Sequence, residues 1–348
     1  MKAAQTIRPL ILGMDAHQRL CMLGLSHVEF LRPREKLVLI ESLGGAGDGA
    51  ARLFELPLAE IARLTGRRLL TREWRPDEIL RTAEATSACL TREGLRSIFY
   101  WDSEYPPLLH AIYDPPLSLF LRGSLPATGT TLAAIVGTRF PTGAAREAAF
   151  RLGFELGRNG ISVVSGLARG IDREAHDGCE EAGGVSVAVL GNGIDLIYPS
   201  TSRAAAMALL ARGGAIVSEY PPGVPPLRWH FPARNRIISG LSRRVVVVQA
   251  PARSGALFTA EFALDQGRDL WVHAAGQAGT AGEGTRRLAQ AGAPVIREAA
   301  EILGSWGVAP RARTERGSFP EGERMARVIK EEINGACAQR AGEAYWRT

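Results

Sequence analysis

Lysine is almost missing from this chain of 348 residues: Lys2, Lys36 and Lys330 are the only ones, against 39 arginines. The central part of the sequence therefore has no Walker-type phosphate loop, because GxxxxGK[ST] requires its lysine, and ATP hydrolysis of that kind is excluded. No true GxGxxG is present either, which argues against a standard dinucleotide site. Cysteine is scarce. Cys21, Cys89, Cys179 and Cys337 lie far apart with no CxxC pair, so neither a zinc site nor a disulfide framework is indicated, and a reducing cytoplasm is the expected setting. No apolar run approaches the roughly 20 residues of a membrane span. The N-terminus, with one Lys, one Arg and a short apolar stretch from Pro9 to Gly13, does not read as a secretory signal.

The composition is that of a globular protein. At 46% hydrophobic and 22% charged, the chain has enough apolar surface to offset chain entropy. Its 39 glycines and 20 prolines are aperiodic, unlike collagen. The net charge is +6 and the pI about 9.4. Between Glu219 and Glu261 there is no acidic residue, while Arg228, Arg234, Arg236, Arg243, Arg244 and Arg253 fall in that stretch. Such a local excess is the footprint of a polyanion site, or equally of a basic loop that only solubilises.

Residues 1–75 read as a small domain of short helices. Residues 76–130 read as a helical and extended lead-in, with a helix from Asp77 to Leu90 behind Pro76 and proline turns at Tyr105-Pro106-Pro107 and Asp114-Pro115-Pro116. From Leu132 the texture changes. Strands are expected at Leu132–Val136, Ile161–Val164, Val185–Leu190, Ala215–Val217, Val245–Val248 and Asp269–His273. Helices are expected at Gly143–Arg158, Ile171–Ala182, Ser202–Ala211, Leu257–Gln266 and Thr285–Ala291, several ending in glycine. Near-continuous apolar strands alternating with helices predict an α/β fold, a doubly wound, mostly parallel Rossmann-like sheet over residues 131–306. Residues 307–348 form a short C-terminal tail. Its Arg311–Gly322 stretch reads as a linker, Glu323–Ala336 as a helix, and Gly342–Arg347 as the last strand of a truncated winged helix.

In such sheets ligands sit at the carboxyl ends of the strands. The loops there are Gly137-Thr138-Arg139, then Ser165-Gly166-Leu167-Ala168-Arg169-Gly170, then Gly191-Asn192-Gly193, and Arg253-Ser254-Gly255. Small residues let backbone N–H groups approach an anion, although glycine serves bare turns equally well. A longer loop carries Arg228-Trp229-His230-Phe231 and Arg234-Asn235-Arg236. Guanidiniums neutralise phosphates and aromatic faces stack unpaired bases, a pairing suited to single-stranded nucleic acid. One of Trp229 and Phe231 is expected to anchor the loop, and the charges at Arg234 and Arg236 are expected to face the strand-end crevice. Asp172 and His176 share a helix face. They fit a structural hydrogen-bonded pair that pins the glycine-rich loop better than a general acid–base couple. His176 with Cys179 lacks the further ligands zinc needs, and Ser165 is not in a GxSxG elbow. No catalytic residue, metal or cofactor is expected.

Taken in order, Ala134–Arg139, Val164–Asp172 with Ala175-His176, Ala188–Gly193 with Tyr198-Pro199, Ser218–Pro221, Phe231–Ile238 and Ser254-Gly255 with Thr259-Ala260 resemble the DNA-processing protein A (DprA, or Smf) family over residues 98–304. The resemblance implies an extended Rossmann-like core that binds single-stranded DNA, protects incoming transformation DNA, loads the RecA recombinase and dimerises. It implies that Gly137, Thr138, Arg139, Ser165 and Gly166 hold phosphates, helped by Arg169, Gly170, Asn235, Ser254 and Gly255. It also implies that Arg228, Arg234 and Arg236 supply positive charge and that Trp229 or Phe231 stacks a base. Three positions depart from the family pattern: Gln249 replaces an acidic residue, Ala275 falls within His273-Ala274-Ala275-Gly276 where the family has Val-Pro-Gly, and Arg286 replaces an asparagine. Two rival readings remain. One is a nucleotide-processing hydrolase, since Ser254-Gly255 with Thr259 and Glu261 loosely resembles a phosphoribohydrolase loop. The other is a protein-docking role for the basic loop.

Overall fold

Local signals start the N-terminal helices. Asp15 caps α1 (Ala16–Leu25), accepting from Gln18 N at 2.8 Å while the Gln18 side chain accepts from Asp15 N at 3.0 Å, a reciprocal capping box. Proline opens both α2 (Pro33–Ser42) and α5 (Pro76–Arg92), where its missing N–H removes no helix bond. Between them lie α3 (Ala46–Glu55) and α4 (Leu58–Thr65). The structure is a computed structural model and describes residues 14–71 and 73–311. The chain divides into two units, 1–308 and 309–348, and the first carries everything below. The expected linker, helix and winged-helix strand of the tail lie outside the described residues.

The order then becomes β1 (Arg96–Phe99), α6 (Pro107–His110), β2 (Ser118–Gly123), β3 (Leu132–Val136), α7 (Gly143–Arg158), β4 (Ser162–Ser165), α8 (Ile171–Glu181), β5 (Ser186–Leu190), α9 (Arg203–Ala211) and β6 (Ala215–Ser218). It continues with α10 (His230–Leu241), β7 (Arg244–Val247), α11 (Gly255–Asp265), β8 (Asp269–His273), α12 (Glu283–Gln290), β9 (Val295–Ile296) and α13 (Ala299–Ser305). These strands form a nine-stranded sheet in the order β1-β2-β6-β5-β4-β3-β7-β8-β9. From β6 to β9 every pairing is parallel, as expected. The additions are at both edges: β9, which was not expected, extends one of them by parallel pairing onto β8. β1 and β2, in the stretch read as lead-in, extend the sheet by antiparallel pairing onto β6.

Both sheet faces are covered. Ala133 and Ile135 pack under α7, α8 and α13, while Ala134 and Val136 on the same strand face α10 and α11. The first helices are fused to the sheet: Cys21, Met22, Leu25, Ile40 and Leu53 share one core with Phe99, Phe120, Leu190 and Ile216. α7 and α8 cross at glycine contacts, for a Cβ on Gly153 would fall 2.2 Å from Ala175 O and one on Gly178 2.1 Å from Phe150 O. Strand order reverses at β3/β7, so the carboxyl ends of β3, β4, β5, β6 and β7 open onto one edge at the topological switch point. Among the described residues no helix is long and apolar enough to cross a membrane.

Candidate nucleic-acid interface

The loop after β3 is built into the switch point. Thr138 N donates to Gln249 O at 2.7 Å and Ile171 N to Thr138 O at 3.2 Å. A Cβ on Gly137 would meet Ile171 Cγ1 at 2.6 Å, so only glycine fits. Gly170 (φ +85°) lies so near the same loop that a Cβ would fall 2.4 Å from Thr138 O. Gln249 has no exposure, and its Oε1 accepts from Thr142 N at 2.8 Å while its Nε2 donates to Thr142 Oγ1 at 3.3 Å. Thr142 caps α7 by accepting from Ala145 N, so the glutamine at this departure holds the helix start beside the first loop. The other two departures are also local. Ala275 N donates to His273 Nδ1 at 3.1 Å, and Arg286 donates to Gln277 O and Gly279 O.

The second loop is organised by buried charge. Ser165 Oγ donates to Ile135 O at 2.6 Å, tying β4 to β3, and Gly166 N donates to Asp172 Oδ2 at 3.1 Å. Burial raises the Asp172 carboxyl, opposed by the Arg234 guanidinium and by the backbone donors of the loop. Arg234 donates to Gly166 O at 3.1 Å, to Val189 O and to Asn235 Oδ1. Burial pushes its pKa down to about 10. Asp172 thus holds the glycine-rich loop, but its partner is Arg234. His176 turns to β5 instead, its Nδ1 3.0 Å from Ser186 Oγ, so the expected Asp172–His176 bond is replaced. The reason is register: the side chain of β5 nearest that turn of α8 offers a hydroxyl, and Asp172 already serves the loop N–H.

Burial of His176 first, then Arg173 and Arg234, lower its pKa from 6.5 to about 3. The folded state keeps it neutral where the unfolded chain takes up a proton. Stability should therefore fall as pH drops below 6.5 toward 3, with this residue adding a slope of up to ~1.4 kcal/mol per pH unit. His176→Asn should flatten that acid limb in urea titrations run from pH 7 to 4. An unchanged slope would contradict the assignment.

The arginine-rich stretch is corrected by the structure. Arg234 and Arg236 do not face the crevice as free charges; each is 6% exposed. Arg236 forms a two-pronged ion pair with Glu219 at 2.6 and 2.9 Å and reaches Asp114. Arg244 is sandwiched between Trp271 and Trp306, 3.9 and 4.8 Å from the rings, and paired with Asp269. Arg243 is exposed, but its N donates to Leu132 O, at the opposite end of the strands. A buried charge needs partners, and the linear count could not distinguish paired from free. Within that stretch Arg228 and Arg253 are the exposed arginines on the strand-end edge.

Two further exposed arginines, Arg139 and Arg169, project from the first two loops, and Arg169 lies over the Phe140 ring at 5.3 Å. Three exposed aromatics accompany them: Phe140 and Trp229 at 67% and Tyr198 at 47%. Phe231 is the anchored member of its pair, half-buried against Gly191 and 5.8 Å from the Tyr198 ring. Trp229 stands edge-on to His230, which stacks on Tyr220 at 3.9 Å. Asn235 donates to Gly255 O at 3.0 Å, and Ser254 caps α11, so these two fasten the last loop. Phe140 and Tyr198 were not predicted as stacking residues. The signal was an aromatic directly after the strand-end Arg139 and another just beyond Gly191-Asn192-Gly193. By sheet order the edge runs from Trp229 past Tyr198 to Arg169, Phe140 and Arg139, then Arg253.

A family model described as DNA recombination-mediator protein A matches residues 96–307. Protein Smf of Escherichia coli K12 is 42% identical over 219 residues, 63% of this chain and 59% of that protein. DNA processing protein DprA of Streptococcus pneumoniae R6 is 37% identical over 204 residues, 58% of this chain and 71% of that protein. The X-ray structure of DNA processing protein A from Streptococcus pneumoniae aligns with a TM-score of 0.66 at 31% identity, covering 84% of this chain and 98% of that one. A Helicobacter pylori structure, described as giving insight into a unique single-stranded DNA binding mode, aligns with a TM-score of 0.54 at 28% identity over 61% of this chain and 95% of that one. The chain spans under two thirds of the length of the Escherichia coli protein it matches.

Proposed function

The chain belongs to the DNA recombination-mediator protein A family, and from that premise we propose that it binds single-stranded DNA along the carboxyl edge of its parallel strands and acts without catalysis as a recombination mediator. One observation carries the reading: four exposed arginines, Arg139, Arg169, Arg228 and Arg253, share that edge with the exposed rings of Phe140, Tyr198 and Trp229. Arginines of this kind neutralise phosphates, and rings accept any base, giving a sequence-tolerant platform. A duplex would hide its base faces from the rings. Gly137, Thr138, Ser165, Gly166 and Gly170 fix the loops on which the arginines stand. The buried titratable groups Asp172 and His176 serve the framework. Protection of incoming DNA, loading of RecA and homodimerisation rest on the family resemblance, and a cytoplasmic setting rests on the few, scattered cysteines.

The test is fluorescence anisotropy of a labelled single strand and of its duplex at low and moderate salt, with RecA filament assembly as a second readout. We expect single-strand preference that weakens with salt, and a loss of about 1–3 kcal/mol for Trp229→Ala. Equal affinity for the duplex, or turnover of nucleoside monophosphates without strand binding, would overturn the proposal.

A further inference from the structure

Strand β1 runs antiparallel to β2 and β2 antiparallel to β6, with Phe99 opposite Ser118 and Phe120 opposite Ser218. The connection 100–117 between β1 and β2 therefore leaves and rejoins the sheet at the edge where the parallel strands have their carboxyl ends. It carries Tyr113, at 76% exposure the most exposed Phe, Tyr or Trp among the described residues. The ring is backed. The exposed Arg34, in the first turn of α2, places its guanidinium 4.0 Å from the ring centroid and donates from it to Tyr113 O at 2.6 Å, while Arg34 N donates to Asp114 Oδ1 at 2.9 Å. Asp114 is fixed from the other side by Arg236 of α10, whose Nε donates to Asp114 O at 2.9 Å and whose guanidinium grips Glu219, the residue after β6. Contacts continue from Tyr220, next to Glu219, to the His230 ring and from there to Trp229.

We propose that Tyr113, backed by Arg34, is a further base-stacking subsite, which takes an unpaired base of a strand already held at Trp229 and carries its path from the parallel strands onto the N-terminal helices. This subsite rests on the single-strand binding proposed above. A guanidinium over one face leaves the other face of so exposed a ring to solvent, and a flat base covers that face as it covers the free aromatics of a single-strand groove. Stacking there orders little that is not already ordered, because the backbone at Tyr113 and Asp114 is held by both α2 and α10.

Charge at this end of the edge is close to balanced, so stacking rather than phosphate neutralisation supplies the gain. Arg32 and Arg34 are exposed, Glu35 is paired with Arg67 at 2.7 Å, Asp114 and Glu219 are answered by Arg236, and the exposed Glu29 lies near enough to His230 to act on its charge. The strand order puts β2 five steps from β7, about 24 Å at the usual spacing of neighbouring strands. A strand of a few nucleotides seated on Arg139, Arg169 and Arg253 therefore stops short of Tyr113, whereas a longer one reaches it.

The test compares oligothymidylates of about 4 and about 16 nucleotides, the span of single-strand site sizes, binding to the full chain and to its Tyr113→Ala and Tyr113→Trp variants. In Tyr113→Ala we expect the longer strand to bind about fivefold or more weakly, the short strand to bind as in the wild type, and the slope of log affinity against log salt to stay the same. Tyr113→Trp should restore the longer strand. In the full chain labelled with 3-fluorotyrosine, the Tyr113 fluorine resonance, identified by its loss in Tyr113→Phe, should shift with the longer strand and stay in place with the short one. Wild-type affinity of Tyr113→Ala for the longer strand, or a Tyr113 resonance that the longer strand leaves in place, would overturn the subsite while single-strand binding stands. A Tyr113→Ala protein that loses oligomer mass in sedimentation yet binds the longer strand as the wild type does would give the ring to a second copy of the chain and likewise overturn the subsite. No binding of either strand would overturn the proposed function, and the subsite with it.

Discussion

Alanine at Arg236 should destabilise the protein by about 3–5 kcal/mol, because it leaves a buried carboxylate without its partner. The side chains of Arg236 and Glu219 are 7% and 15% exposed. Arg236 also donates to Asp114 O and Ala233 O, so its removal strips acceptors on three elements. Alanine at Arg139, an exposed residue with no packing role, should change stability by less than about 0.5 kcal/mol. Both variants should weaken strand binding, for different reasons. Urea unfolding of each separates them. Replacing both members of the pair, Arg236→Met with Glu219→Leu, should recover much of the stability, since apolar residues of similar volume can replace a buried ion pair. If Arg236→Ala unfolds at the wild-type midpoint yet binds DNA more weakly, Arg236 touches DNA directly and is not a framework residue.

That contrast shows what the sequence made legible. The strands from Leu132 to His273 were readable because each is a short apolar run ended by a glycine or a polar turn, and both of its faces are buried. Strand β1, only four residues long and following a helix, and β2, set behind a proline-rich turn, gave no such signal. They belong to the sheet through pairing with β6, which is distant in sequence. The loops at Gly137 and Gly166 were legible as close-approach turns. Which arginines are free was not, because charge counted along the chain carries no direction. Arg234 and Arg236 lie in the second turn of α10 facing Asp172 and Glu219, partners 62 and 17 residues away by position. Phe140 and Tyr198 escaped attention because an aromatic after a strand is usually core, and only the fold shows these two turned outward.

The second large effect concerns the free arginines. Arg139, Arg169, Arg228 and Arg253 replaced together by alanine should lower the slope of log affinity against log salt by up to about 3, close to 0.7 for each phosphate of a single strand that is no longer neutralised. Affinity at low salt should fall on the order of 10³-fold. The four side chains are exposed, so thermal unfolding should stay within about 2 °C of wild type. Arg169 has one further interaction, its guanidinium over Phe140, and its removal frees that ring without burying or exposing a core group. Phe140→Ala with Trp229→Ala makes the opposite kind of change. It should weaken binding by about 1–3 kcal/mol per stacked base while keeping the slope, because no counterion is released when a base stacks. Binding isotherms at four or more salt concentrations for the two variants therefore separate phosphate neutralisation from base stacking along one edge. A quadruple variant with the wild-type slope would place the phosphates elsewhere on the protein, and a double aromatic variant with the wild-type affinity would remove the stacking platform.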